Sequence, residues 1–541
     1  MIAKARENPN ATPARAVTPP APAQGAERAG VAVGAGADGK VRYKTLITGS
    51  IMLATIMQAL DSTIANVALP SMQGSLGAAV DTVTWVLSSY IVAAAIMTPI
   101  AGWMAARFGR RRIFLIHVAG FTIMSMMCGW ATSLGEIVVY RVLQGVAGAA
   151  LVPLSQSTLL DINPREKHGE AMAIWGAGIM IGPIMGPTLG GWLTENYTWR
   201  WVFYVNLPVG ILAFLGILLF MPESERDTTR RFDFFGFGML SVGIGCLQLM
   251  LDRGQLLDWF SATEICVYAA LAGLGFYMVA VHSATTHTPF LQPQMMKDRN
   301  FLCGIALAFM VGIVLLATVA LLPPMLQDLM AYPVITTGFI MAPRGIGTMI
   351  AMMVVGRLVT RVDLRLLMLG GLLVTAYSLW SMGNYSLDMD WWPVAWVGLI
   401  QGVGLGFVFV PLSTLTFATL PARLRTEAAA FYNLTRNVGS SVGISVVTAL
   451  LARNVQINHA TLASRITAEN VGLWSEVMHM DLSRGAGLAA LNAEITRQSA
   501  MIGYLNDFRL MCWITLLSTP LLLLIRKPSY RSAPAGHAAL D

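Results

Sequence analysis

Asp61 and Arg141 are the residues whose types and placement could do chemistry. Asp61 stands inside a long apolar run, about nine residues from its outer end, or roughly 13 Å deep at helical rise. It reads as the only acid deep in such a run. A carboxylate in hydrocarbon is costly to keep charged. A group there can take up a proton and give it back as access alternates between two sides. Arg141 lies at a similar depth in another run, with Gln144 and Gly148 after it on the same helical face. A guanidinium stays charged at any accessible pH. It would favour ionised Asp61, and protonating Asp61 would weaken the pair and let two halves of the chain shift. The plainer alternative is a structural ion pair.

Three further groups follow. Gly178, Gly182, Gly186 and Gly190 recur every fourth residue, with Pro183 and Pro187 among them. Small residues in a stripe let two helices approach closely, and prolines bend a helix. The expected result is a tight, kinked seam that controls leak. Gly102, Arg107, Gly109 and Arg110 belong to a glycine- and arginine-rich loop, read as a tight turn and a gate as well as a topological signal. Gln58, Asn66, Gln144, Arg344, Asn433 and Arg436 are polar groups inside apolar runs, candidates to line a substrate cavity. Arg344 and Arg436 require counter-charges or carbonyls nearby. His117 reads as a packing histidine.

The elements that position these groups are membrane helices. The chain has 541 residues, 55% hydrophobic and 12% charged, against about 25% charged in soluble proteins. Runs long enough to cross about 30 Å of hydrocarbon recur throughout. Fourteen spans are expected, near 46–69, 84–105, 113–131, 136–160, 169–194, 199–221, 233–251, 263–283, 299–323, 334–358, 365–384, 391–416, 427–451 and 506–525. One set of alternate loops holds Arg107, Arg110, Arg111, Arg112, Arg165, Lys167, Arg226, Arg230, Arg231, Lys297, Arg299, Arg357, Arg361, Arg365, Arg423 and Arg425. The other short loops hold only Arg200 and Arg253. Basic loops face the cytoplasm, so both termini are expected there. This bias accounts for the net charge of +7 without nucleic acid.

Gln144-Gly145-Val146 recurs as Gln401-Gly402-Val403, and Glu170-Ala171 as Glu427-Ala428, both 257 positions on. Gly102 and Arg107 match Gly356 and Arg361, and Pro153-Leu154-Ser155 matches Pro411-Leu412-Ser413. Matched spans differ by eight, so the copies share one orientation. The fold expected is all-α: two six-helix bundles, 45–222 and 299–530, with two inserted helices in 223–298. Two bundles related in this way suit transport by rocking about a central site. Residues 1–44 read as a disordered cytoplasmic tail, 531–541 as a second tail, and 452–505 as an extracytoplasmic loop with some helical segments. No phosphate-binding G-x-x-x-x-G-K-[ST] loop, metal cluster or nucleophile motif is present. The five cysteines read as small apolar residues.

Leu60-Asp61-Ser62-Thr63-Ile64-Ala65-Asn66-Val67-Ala68-Leu69-Pro70 resembles the first-helix motif of the fourteen-span drug:proton antiporters of the major facilitator superfamily. Gly102–Arg112 is similar to that superfamily's loop signature, Arg141–Gly145 to its fourth-helix motif and Gly178–Gly191 to its antiporter motif. Asn206-Leu207-Pro208-Val209-Gly210, Leu420–Glu427 and Gln498–Phe508 resemble the EmrB/QacA branch. Ala106 stands where the loop signature carries an acid, so other charges are expected to substitute.

The resemblance implies a multi-pass inner-membrane protein, not an enzyme. It implies export of small apolar or cationic toxic compounds against protons, with no cofactor but the proton-motive force. It also implies a periplasmic adaptor and an outer-membrane channel as partners where the host has two membranes. Lipids, protons and a small molecule are the other partners expected. The rival readings are a specific exporter of one metabolite or siderophore, and a nutrient importer.

Overall fold

The computed structural model describes residues 43–526, apart from 225, 228–231, 287–288, 291, 360 and 468–484. The expected tails fall almost wholly outside the described residues. Within them, fourteen helices are long and apolar enough to cross a membrane. They are α1 (Lys44–Leu76), α2 (Trp85–Phe108), α3 (Arg110–Trp130), α4 (Leu134–Asp161), α5 (His168–Asn196), α6 (Trp201–Phe220) and α7 (Phe234–Arg253). The others are α8 (Thr263–Thr285), α9 (Arg299–Leu329), α10 (Ile335–Leu358), α11 (Leu364–Met382), α12 (Trp391–Ala418), α13 (Arg425–Ala463) and α14 (Gly485–Leu524). A helix satisfies its own backbone, which lipid cannot. The spans read from the sequence are all present.

Local signals set the ends. Ser133 caps α4 by accepting from the Glu136 amide, while Glu136 accepts from the Thr132 amide at 2.8 Å. The arrangement is a variant of the capping box in which Glu136 reaches the amide one residue before the cap. Asp298 caps α9 by accepting from the Phe301 amide at 2.8 Å. Gly109 turns the chain between α2 and α3 at φ 92°, a conformation that a side chain would strain. In α5 two helical segments, His168–Ile179 and Ile181–Asn196, join at Met180, just ahead of Pro183 and Pro187.

The glycine stripe of α5 lies against α1. A Cβ placed on Gly182 would sit 2.6 Å from the Ala59 carbonyl carbon, and one on Gly190 2.8 Å from Ile64 Cγ1. Gly186 faces Thr63, Gly178 faces Met52, and the Thr63 hydroxyl donates to the Gly182 carbonyl at 3.1 Å.

α7 and α8 follow the first six helices in sequence, yet α7 sits between the bundles in space. Ser88 of α2 donates to Asp252 of α7. On the other side, Gln248 of α7 donates to Ser441 of α13 at 2.8 Å, and Ser445 of α13 donates to the Leu251 carbonyl. α8 covers α7, with Arg253 and Glu264 paired at 2.8 Å.

Of the segment expected as a loop over 452–505, the described residues are largely helical. α13 runs on to Ala463 and α14 begins at Gly485. At helical rise the 39 residues of α13 span about 58 Å, well beyond a hydrocarbon core of ~30 Å. Beyond the apolar run α13 and α14 stay in contact, with His459 and Asn492 3.0 Å apart. Polar residues outside lipid still form helix when two such helices pack on each other. Hydropathy does not register that part.

Candidate functional site

The site is built on α1 and completed by four other elements. α1 carries Asp61 to mid-helix, where its side chain is fully buried. α4 presents Arg141 and, one turn on, Gln144, buried at 1% and 0% exposure. Arg141 Nη1 donates to Asp61 Oδ2 at 2.7 Å and to Gln144 Oε1 at 2.8 Å. Its Nε donates to the Val86 carbonyl of α2 at 2.9 Å, and its guanidinium lies 4.3 Å from the Tyr90 ring centroid. Gln144 Nε2 donates to Asp61 Oδ1 at 2.9 Å.

Asn206 of α6 donates to the same Oδ1 at 2.9 Å and to the Ser125 hydroxyl of α3 at 2.9 Å. Asp61 therefore accepts from a guanidinium and two amides inside one bundle. Each donor is spent on the charged form, so adding a proton to Asp61 disrupts the whole set. Asn206 was legible only as part of a family motif with no role at this site, and Tyr90 and Ser125 were not singled out from the sequence. A neutral amide or hydroxyl in an apolar run carries no signal comparable to a charge.

The remaining candidates separate. Gln58 is half-buried and donates to the Tyr90 hydroxyl at 3.1 Å, one contact away from Arg141. Asn66 lies exposed two turns further along α1. Asn433 is not free in a cavity. It is buried where the bundles meet, donating to Gln156 Oε1 of α4 at 2.9 Å. Arg436 is half-buried with its guanidinium 5.8 Å from the Phe409 ring, which stacks on Trp175 of the other bundle at 5.9 Å. Arg344 is buried at 7% exposure, and Nη2 donates to the Leu315 carbonyl at 2.9 Å. A carbonyl, not a counter-charge, is thus its partner. His117 packs with Nδ1 2.6 Å from the Ala147 carbonyl oxygen. One expectation is corrected: Asp61 is not the only deep acid. Asp507 lies at 1% exposure inside α14, which starts well before the expected 506 and so carries Asp507 away from its end.

A second charged assembly closes the face that bears the arginine-rich loops. Asp161 at the end of α4 accepts from Arg110 of its own bundle at 2.6 Å and from Arg425 of the other bundle at 2.9 Å. Arg110 also donates to the Thr426 hydroxyl at 3.2 Å. Gly102 lets Glu427 of α13 pack directly on α2, since a Cβ there would sit 2.5 Å from Glu427 Cγ. Arg107 makes no side-chain hydrogen bond or ion pair with the described residues. Asp161 supplies the acid that Ala106 lacks.

Asp161→Asn is expected to loosen this end, at about 1.5–3 kcal/mol for each charge-assisted bond weakened. Hydrogen–deuterium exchange over Glu427–Asn433 should then rise. Unchanged exchange there would remove Asp161 from the latch.

Comparison with known proteins fits this architecture. Residues 51–444 match the model of the Major Facilitator Superfamily. The multidrug export protein EmrB of Escherichia coli K12 is 34% identical over 502 residues, covering 91% of this chain and 97% of EmrB. The fatty acid resistance protein FarB of Neisseria gonorrhoeae is 36% identical over 496 residues, with 91% and 97% covered. The human organic anion transporter MFSD10 (TETRAN) superposes with a TM-score of 0.59 at 14% identity, covering 89% of this chain and all of that one, which speaks to the fold alone. The chain belongs to the major facilitator superfamily, a family of transporters rather than enzymes, and within it to the multidrug exporters that include EmrB.

Proposed function

We propose that this protein is a multidrug exporter that expels small, largely apolar toxic compounds across the cytoplasmic membrane in exchange for protons. The observation that carries the reading is the fully buried Asp61–Arg141 pair, set beside the glycine seam between α1 and α5. The names of its relatives EmrB and FarB, a multidrug export protein and a fatty acid resistance protein, support export and resistance as its purpose.

Arginine-rich loops face the cytoplasm. Both termini are then cytoplasmic, and the Asp161 latch closes the cytoplasmic end. Asp61 takes a proton arriving from the outside and loses its charge. Arg141, Gln144 and Asn206 lose the acceptor that holds α1, α4 and α6 together. The bundles tilt, the latch parts and the proton leaves to the cytoplasm as substrate enters. No nucleotide is consumed, and the proton gradient does the work. The packed extensions of α13 and α14 offer a periplasmic platform for an adaptor, with an outer-membrane channel beyond it in hosts with two membranes.

Expression in a strain stripped of its own pumps should raise resistance to several unrelated apolar toxicants, and an uncoupler should abolish the gain. Resistance that survives the uncoupler, or flux inward down the same gradient, would defeat the reading.

A further inference from the structure

The second bundle contains a near-copy of the Asp61 site from which the carboxylate is missing. Gln401 stands 257 positions after Gln144, and Thr318 stands 257 after Asp61. Gln401 Nε2 donates to the Thr318 hydroxyl at 3.3 Å, as Gln144 Nε2 donates to Asp61 Oδ1 at 2.9 Å. The place of Arg141 is taken by Gly398. The Arg344 side chain starts beside that position from α10, its Cβ 3.7 Å from where a Cβ on Gly398 would lie, and its Nη2 reaches the Leu315 carbonyl of α9, one turn before Thr318. Cation, amide and small side chain are all retained, and only the anion is gone.

The vacancy leaves identifiable atoms unsatisfied. Arg344 Nη1 is buried without a hydrogen-bond partner, and so is Gln401 Oε1. Arg344 forms no ion pair with the described residues, and Asp507, the other deep acid, does not reach it. A buried cation without an anion is expensive. The second guanidinium of this bundle, Arg436, also lacks an acid partner among the described residues. In the first bundle Asp61 and Arg141 cancel. Arg344 and Arg436 are thus each without an acid partner among the described residues, and α10 meets the other bundle beside Arg344, with Gly345 against Ile184 of α5.

We propose that Arg344, with Thr318 and Gln401, is a subsite for the anionic head of an amphipathic carboxylate substrate. The substrate's carboxylate occupies the place that Asp61 fills in the other bundle. Its apolar tail lies among the surrounding apolar side chains. This inference rests on the transport reading above and narrows its substrate class.

The test is equilibrium binding to the purified full chain, with no pH gradient, so its outcome is independent of proton coupling. The probes are decanoate, decanol and decyltrimethylammonium, which share a tail and differ in head group. Decanoate should bind most tightly. Arg344→Gln should weaken decanoate by about tenfold or more, the loss expected for a charge-assisted bond, and leave decanol unchanged. Arg344→Lys should retain part of the preference. If Arg344→Gln does not fold, Thr318→Asp serves instead. It restores the internal carboxylate and should abolish the decanoate preference in a folded protein.

Decanoate binding no tighter than decanol, or a preference that survives Arg344→Gln or Thr318→Asp, would overturn the subsite. Failure of the exporter reading would show separately, as flux insensitive to the proton gradient.

Discussion

In inverted vesicles, Asp61→Asn is expected to bring gradient-driven transport down to the level of vesicles without the protein. Asparagine matches the shape of aspartate but offers no site for a proton to come and go. It also leaves Arg141 buried at 1% exposure without its charge partner. Breaking one side of a buried pair costs about 3–5 kcal/mol, so this variant should also melt earlier.

Stability and coupling can be separated. The double variant Asp61→Asn with Arg141→Gln removes both charges and should recover most of the stability, because a neutral hydrogen-bonded set replaces an orphaned cation. It should not recover transport. Uphill flux in either variant at the rate of the unaltered protein would show that the pair only holds the bundle together.

Gly182→Ala should be the most damaging change outside the charged site. The hypothetical Cβ lies 2.6 Å from the Ala59 carbonyl carbon and 2.7 Å from its oxygen, and backbone cannot move aside as a side chain can. α1 and α5 would have to separate two residues from Asp61. Overpacking of this kind costs about 1–3 kcal/mol or more. The visible effect should be proton leak through vesicles together with lost export. Gly191→Ala is the matched control, since its Cβ would meet only Val67 Cγ1 at 3.9 Å. Equal damage from both would mean that the seam has no special closeness.

The parts of the site legible in the sequence were those for which lipid makes residue type costly. A charge in hydrocarbon stands out whatever the fold, which is why Asp61, Arg141 and Arg344 could be named. The glycine stripe was legible because its period matches a helix face. Ser125 was not, and Asn206 was legible only as part of a motif without a role, although Asn206 donates to Asp61 and to Ser125. Asp161 escaped because an acid at the end of a span resembles any solvated charge, and only the fold brings Arg110 and Arg425 to it. The continuation of α13 and α14 escaped because hydropathy measures lipid exposure, and those turns are held by each other.

The position of α7 has a mechanical consequence. It is hydrogen-bonded to α2 through Asp252 and to α13 through Gln248 and Leu251. Two shells stitched along one edge can part only as a book does, least at the spine and most at the fore-edge. α7 is such a spine, and each stroke of the pump must either strain its stitches or pivot around them.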